Sequence, residues 1–380
     1  MTEPALLQHL RPRTEEMLAA LALLVNHESP SGDRVALDAL AHVLAARLGA
    51  VGADVRLVAN PSGGDHVRAR FGAASDPGRP ALVLAHYDTI WPAGTLAALP
   101  FRREGGRAFG PGIYDMKASL VILEFALSAL VALDLRPPRP IVALLTSDEE
   151  IGSPGSRGLI EELATGCAYT LVLEPPLADG GLKTARKGVG RFTLEIVGRP
   201  AHAGVEPEKG ISAVQELAHQ VLHIHRLGDP EAGTTVNVGV VQGGTAPNVV
   251  AARATALVDV RVTTADEERR LDTALRGLHP VAPGARIAVG GGFNRPPMER
   301  APQVVALFQR ARLIGRSLGL DLTEGATGGA SDANFTAALG VPTLDGLGAR
   351  GAGAHAEHEQ IEIGSLPERA ALLAALLLEL

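Results

Sequence analysis

The sequence predicts an α/β protein of two domains, with a smaller α+β unit interrupting a larger layered one. Three observations carry that reading. At 380 residues the chain is too long for one ordinary core. The runs Ala81–Ala85 (ALVLA), Ile141–Thr146 (IVALLT) and Tyr169–Leu173 (YTLVL) are nearly continuous in apolar residues, as in strands covered on both faces. Beyond Lys187 the strands instead acquire one wet face, and the order of elements becomes βαββαβ.

Taken in order, Thr14–Leu24 reads as an amphipathic helix opened by Glu15 and Glu16. The N-terminal stretch MTEPALLQHLRPRTEEMLAALALLV lacks the ordered charged start, apolar stretch and small-residue cleavage site of a signal peptide. No run reaches the roughly 18 apolar residues of a membrane span, so the expectation is a cytoplasmic protein. Ala118–Leu133, rich in Leu and Ala, is a helix between two of the buried strands, completing an α/β layer. In Arg191–Val197 the residues Phe192, Leu194 and Ile196 alternate with Thr193 and Glu195. A helix at Ile211–Leu227, strands at Thr234–Gln242 and Thr255–Val262, a charged helix at Ala265–Leu278 and a strand at Ala285–Val289 follow. This is the ferredoxin-like order. After Pro297 come a helix at Ala301–Leu318, a strand at Val341–Leu344 and a final helix at Pro367–Leu380. The expected domains are therefore 1–187 and 297–380 for the larger one and 188–296 for the insertion.

Composition narrows the function. With 46% apolar and 20% charged residues, the chain has a soluble globular profile. A net charge of −7 argues against nucleic acid or an anionic membrane as the main partner. The single cysteine, Cys167, excludes an internal disulfide framework and a thiolate metal cage.

The chemistry lies where acids and histidines follow the apolar strands. His86 and Asp88 follow ALVLA, and Asp148, Glu149 and Glu150 follow IVALLT. Glu174 closes YTLVL, and His355 lies in a Gly-rich loop after Val341–Leu344. Asp115 sits in GPGIYDMK, directly before a helix. In open α/β sheets ligands bind at the carboxyl ends of the strands, so these positions should meet in one cleft. Two imidazoles and several carboxylates without thiolates suit one or two divalent transition metals, zinc first and Co2+ or Mn2+ as alternatives. So acidic a cluster needs cations, because buried like charges otherwise force protonation. One carboxylate shared by two ions about 3.5–4 Å apart would give a two-metal hydrolytic centre.

These segments also carry a resemblance. HYDTIWPAGTL, GPGIYDMKASL, TSDEEIGSPGSR, LEP, GRPAHAG and the late His355 resemble, in order, the co-catalytic di-zinc family of aminoacylases, acetylornithine deacetylase, succinyl-diaminopimelate desuccinylase and glutamate carboxypeptidases. PFRREGGRAFGPG, SDEEIGSPGSR and TGGASDANF look most like the glutamate carboxypeptidase (carboxypeptidase G) branch. The resemblance implies a zinc-hydrolase-type catalytic domain, with helices around a mostly parallel mixed sheet, interrupted by a ferredoxin-like lid and dimerisation domain. A hinge between the two would close over substrate. It implies two zinc ions per subunit, one held by His86, Asp115 and Glu174 and the other by Asp115, Glu150 and His355, with Asp115 bridging. Asp88 would hydrogen-bond the His86 ring and raise its basicity. Glu149 would be the general base, taking a proton from the attacking water and delivering it to the leaving amine. Asp148 has no role in that scheme and stands as a strand-end acid.

Further residues follow from the same resemblance. His202 would reach the partner subunit's active site and stabilise the tetrahedral oxyanion; its plain reading is a surface-loop histidine. Asn248 and Arg261 would meet the substrate's carboxylate, although Arg261 on an alternating strand reads equally as a solvated arginine. Arg295 is a weaker candidate for that anion. Thr327, Gly328 and Gly329 could offer backbone N–H groups to it, and Lys187 is either a further contact or only a hinge charge. His358 competes with His355 for the last ligand position. His219 and His223 share a helix face without a completing acid. The implied activity is hydrolysis of an amide next to a free carboxylate, releasing a C-terminal amino acid, glutamate first, from a small amino-acid conjugate or short peptide. An N-acyl-amino-acid deacylase or dipeptidase would use the same centre. A catalytically silent binding or dimerisation protein is the alternative of another class, and no strand leads into G-x-G-x-x-G as a dehydrogenase would need.

Overall fold

A computed structural model describes residues 4–72 and 78–380. It divides the chain into two compact units. Unit 1 comprises the chain up to Ala185 with Arg300–Thr327 and Ser331–Leu380; unit 2 comprises Arg186–Glu299 with Gly328–Ala330. The short Gly328–Ala330 segment thus groups with unit 2, although it falls beyond the boundary expected at 296.

Among the described residues, unit 1 is built on a six-stranded mixed sheet. Its spatial order is Asp54–Val58, His66–Phe71, Ile141–Thr146, Ala81–His86, Tyr169–Val172 and Thr343–Leu344. The last four strands run parallel, while the first two form an antiparallel edge. The mixed, mostly parallel sheet anticipated from the apolar runs is present. Every residue of Ala81–His86 and Ile141–Thr146 is buried, which is why neither strand alternates.

On one face of the sheet Val67, Ala69, Val83, Ala85, Ala143 and Leu145 join a helical layer in one core. The helices Thr14–Val25, Arg34–Ala50, Ala118–Ala132 and Ser365–Glu379 supply that layer. The Arg34–Ala50 helix starts at an N-cap, where the Asp33 carboxylate accepts the Ala36 N–H at 3.1 Å. Ala118–Ala132 is apolar almost all round, as a helix packed between a sheet and a further helix must be. Among the described residues no helix is long and apolar enough to cross a membrane.

Unit 2 carries the expected βαββαβ order: strand Gly188–Val197, helix Ala213–His225, strands Thr235–Gly243 and Arg253–Val262, helix Ala265–Arg276, strand Arg286–Arg295. In space the second strand is followed by the third, first and fourth, all pairs antiparallel, which is the ferredoxin-like arrangement. Phe192, Leu194 and Ile196 pack with Val258, Val260, Leu217 and Leu271 on the helix side. The opposite face carries Arg191, Glu195 and Arg261.

Candidate active site

Three parallel neighbours in the sheet of unit 1 end in chemistry. His86 is the last residue of its strand, Asp148–Glu150 follow Thr146, and Glu174 lies two residues past Val172. Because the strands run side by side in the same direction, their carboxyl ends share one edge of the sheet. Asp115 enters from the turn Ile113–Lys117, at a cis peptide bond with Met116. His355 enters from the Gly-rich segment with a left-handed φ of +65°.

The five residues expected to hold metal meet. His86 Nε2 lies 3.1 Å from Asp115 Oδ1 and 3.5 Å from Glu174 Oε1. His355 Nε2 lies 3.5 Å from Asp115 Oδ2 and 3.1 Å from Glu150 Oε2. Asp115 therefore turns one oxygen to each imidazole. Potential ligand atoms of His86, Glu149 and Glu174 lie within 4.8 Å of one another, as do those of His86, Asp115 and Glu150. Glu149, expected as a proton carrier, is thus also within ligand range.

Asp88 organises this edge more broadly than a single bond to the ring. It is fully buried. The His86 Nδ1–H donates to the Asp88 backbone carbonyl at 3.0 Å, with Asp88 Oδ1 3.4 Å away. The carboxylate also accepts the backbone N–H of Glu149 and of Glu150, each at 3.2 Å, and the Ser31 hydroxyl at 2.7 Å. One acid orients the imidazole and both glutamates.

Asp148 has its own task. Its carboxylate accepts the N–H groups of Gly155 (2.6 Å) and Ser156 (3.2 Å) and the Ser156 hydroxyl (2.6 Å). It pins the loop that leads from Glu149–Ile151 into the helix Arg157–Gly166. Asp332, from TGGASDANF, supports the same loop by accepting the Ser153 hydroxyl at 2.5 Å. Ser31 and Asp332 escape a reading of the sequence because neither follows an apolar strand.

The donor set fits a divalent cation. With Nδ1–H spent on Asp88, neutral His86 presents the Nε2 lone pair to carboxylate oxygens of Asp115 and Glu174. That contact is repulsive unless the ring is protonated or a cation lies between them. Burial would push His86 down, yet Asp115, Asp88 and Glu174 hold it well above the usual imidazole range. Asp115 and Glu150 similarly raise His355, to about 10. Burial disfavours the Asp115 anion, but bonds from His355 and His86 hold its carboxyl well below the ordinary range. Burial pushes the Glu150 carboxyl up, against the pull of His355. Carboxylates and imidazoles so arranged, without thiolate, are the ligands zinc and its neighbours take.

The sequence profile of Peptidase family M20/M25/M40 matches residues 82–379. The chain belongs to this family. It is similar to carboxypeptidase G2 of Pseudomonas sp. (strain RS-16), 31% identical over 375 residues, covering 96% of this chain and 89% of that protein. A probable carboxypeptidase of Arthroderma otae is 33% identical over 253 residues, covering 60% of this chain and 55% of its own. The fold is that of the solved aminopeptidase PepT from Bacillus cereus, with a TM-score of 0.79 at 23% identity over 96% of this chain and 98% of that one. As a member of the M20/M25/M40 peptidases the chain is a metal-dependent hydrolase.

Within this peptidase, unit 2 carries the remaining sequence candidates except Thr327 and His358, which belong to unit 1. His202 is exposed and its Nδ1 accepts the Gly204 N–H at 3.2 Å, which leaves the proton on Nε2. A bridge between His202 and Val249, and a bond from the Ala203 N–H to the Asn248 carbonyl at 3.0 Å, bring His202 and Asn248 onto adjoining segments. Arg261 and Arg295 both stand opposite Val189 in the sheet register, one on each side. Arg261 is clamped by both oxygens of Asp259, at 2.8 and 3.1 Å. Arg295 is 5% exposed. Lys187 Nζ donates to the Gly233 carbonyl. Thr327 ends a short strand of unit 1, and the Gly329 carbonyl accepts from Arg186 at 3.0 Å. Arg186, 4% exposed, escapes a reading of the sequence because it lies one residue before the expected hinge.

Proposed function

We propose that the chain is a di-zinc carboxypeptidase that hydrolyses an amide next to a free carboxylate and releases a C-terminal amino acid, glutamate being the first candidate. The observation that carries the two-ion reading is Asp115, whose two oxygens face two different imidazoles. His86, Asp115 and Glu174 would hold one ion, and Asp115, Glu150 and His355 the other. Bound there, the ions would supply Lewis-acid polarisation of the scissile carbonyl and balance the crowded carboxylates.

The chain's own groups do the rest. Asp88 keeps the His86 ring in the tautomer that offers Nε2, and through the Glu149 and Glu150 N–H groups it aims both side chains. Glu149 takes a proton from the attacking water and passes it to the leaving amine. In unit 2 we assign oxyanion stabilisation to His202, in trans within a homodimer formed through that unit, and recognition of the terminal carboxylate to Asn248, Arg261 and Arg295. Thr327, Gly328, Gly329 and Lys187 are assigned as secondary contacts to the same anion. The glutamate preference rests on the resemblance of PFRREGGRAFGPG and TGGASDANF, and on the similarity to carboxypeptidase G2.

The test compares release of free glutamate from an N-acyl-glutamate and a pteroyl-glutamate with hydrolysis of N-acetyl amino acids. Glutamate release is expected. Hydrolysis of N-acetyl amino acids alone would replace the carboxypeptidase by a deacylase on the same centre. A purified protein that takes up no divalent metal would remove the hydrolytic reading itself.

A further inference from the structure

Glu359 lies four residues past His355, immediately before the short strand Gln360–Glu362. It is 2% exposed, and its carboxylate is saturated. Oε1 accepts the backbone N–H of Tyr114 at 2.8 Å and of Asp115 at 3.0 Å. Oε2 accepts the N–H of Gly112 at 2.8 Å and the indole N–H of Trp91 at 2.9 Å. Three chain segments of the centre therefore end on one carboxylate: the loop five residues after His86, the turn that carries Asp115, and the segment that carries His355.

The turn has little freedom of its own. Gly112 takes a left-handed φ of +67°, and a Cβ there would collide with Thr89. The direction of the Asp115 side chain is set by the backbone of residues 112–115, and three N–H groups of that stretch point at Glu359. The Trp91 loop is fastened from its other end by Glu28, which accepts the N–H groups of Gly94 (2.7 Å) and Leu96 (2.9 Å).

We propose that Glu359 is a positioning residue for the bridging carboxylate Asp115, and that through it the Trp91 loop is coupled to cation occupancy. The proposal rests on the two-ion reading above. A carboxylate is required, not merely a polar group of that shape. A glutamine offers one acceptor oxygen, and its NH2 would face two N–H donors whichever way it turned.

Trp91 is the chain's one tryptophan, so its emission reports this network alone. The metal-stripped full chain is titrated with Zn2+, with affinity read by chelator competition and emission recorded in parallel. Wild-type emission should change with the same midpoint as Zn2+ uptake. Glu359→Gln should bind Zn2+ about 10–100-fold more weakly, as loss of a group that orients a ligand does, and its metal-free emission should shift to the red. A Glu359→Gln protein with lowered thermal stability but unchanged Zn2+ affinity overturns the positioning role, leaving only a structural one. Wild-type emission indifferent to Zn2+ overturns the coupling. Should Glu359→Gln fail to fold by circular dichroism, Trp91→Phe replaces it: weakened Zn2+ binding supports the network, and unchanged affinity overturns it. Failure of the wild type to bind Zn2+ at all would instead defeat the two-ion reading.

Discussion

Two sets of acids in this molecule look alike in sequence and keep opposite company. In unit 2, Glu216 is fully buried on the helix Ala213–His225. Its oxygens accept the Gln220 amide (2.7 Å) and the backbone N–H groups of Val281 and Ala282, the shortest at 2.7 Å. In unit 1, the Asp115 and Glu150 carboxylates instead meet the Nε2 atoms of His86 and His355, and a neutral His86, its Nδ1–H given to Asp88, has no proton left for Asp115. Burial alone therefore does not mark a metal centre. What marks it is acids that converge on imidazole nitrogens rather than on backbone and hydroxyl donors, and the tripeptide Asp148-Glu149-Glu150 holds both kinds. Asp148 is filled by three donors of its own loop, whereas Glu150 is left to His355.

The largest effect that could break this contrast belongs to Glu149. Glu149→Gln should lower kcat by about 10²–10⁴-fold, the range for loss of a positioned acid–base group, while metal content stays at the wild-type level. Because Glu149 lies within ligand range of His86 and Glu174, loss of metal together with turnover would move it into the ligand set. Chelation comes next. At a free ion concentration about 1,000 times Kd, binding to the native state contributes roughly 4 kcal/mol of stability. Stripping the metal should therefore lower the unfolding midpoint of unit 1 and leave Glu216's surroundings unchanged. Hydrogen exchange resolved by unit checks this, and equal loss of protection in both units would contradict it.

Asp148 sharpens the comparison from the other side. Asp148→Ala strands buried donors and should cost about 1–3 kcal/mol for each left unpaired. Asp148→Asn should cost much less, since its amide oxygen can still accept the Gly155 and Ser156 N–H groups while its NH2 faces the Ser156 hydroxyl. Chemical denaturation of the metal-free proteins gives the ranking, and an Asn variant as unstable as the Ala variant would show that charge, rather than donor count, matters there.

Strand-end chemistry is legible in the amino-acid sequence because the apolar runs announce where each strand stops. His86, Glu149, Glu150 and Glu174 all lie within four residues past such a run. Of the acids behind them, Asp88 is legible beside His86, but Glu359 and Asp332 are not. Glu359 finds its donors 244 to 268 residues earlier in the chain, and Asp332 reaches Ser153 across 179. Such pairings depend on how loops are laid over a finished sheet, and no local periodicity encodes them. The edge strands Asp54–Val58 and His66–Phe71 are hidden for another reason. Asp54, Arg56, Arg68 and Arg70 fill one face of that hairpin, so its apolar alternation is short and masked by charge. The helix Arg34–Ala50 does carry a signal, with Leu37, Leu40, Ala41, Leu44 and Leu48 buried at helical spacing behind the Asp33 cap.

The smallest expected effect concerns Glu216 and depends on pH. Burial would raise its carboxyl, but the Ala282 N–H, the Gln220 amide and the Val281 N–H together hold it below the usual glutamate value. A carboxyl lowered on folding adds stability above its unfolded pKa and loses it as pH falls through the lowered folded value. Glu216→Gln should therefore destabilise unit 2 at neutral pH, by about 1.5–3 kcal/mol if the bonds to the charged group are worth their usual amount. The gap to wild type should narrow on acidification below the ordinary carboxylate range, because the wild-type group then takes up the proton that the amide never needed. Denaturant unfolding of both proteins at neutral and acid pH measures the gap. A difference that stays constant with pH would mean that shape, not charge, is what Glu216 contributes, and the acids of the two units would then differ in less than their donors imply.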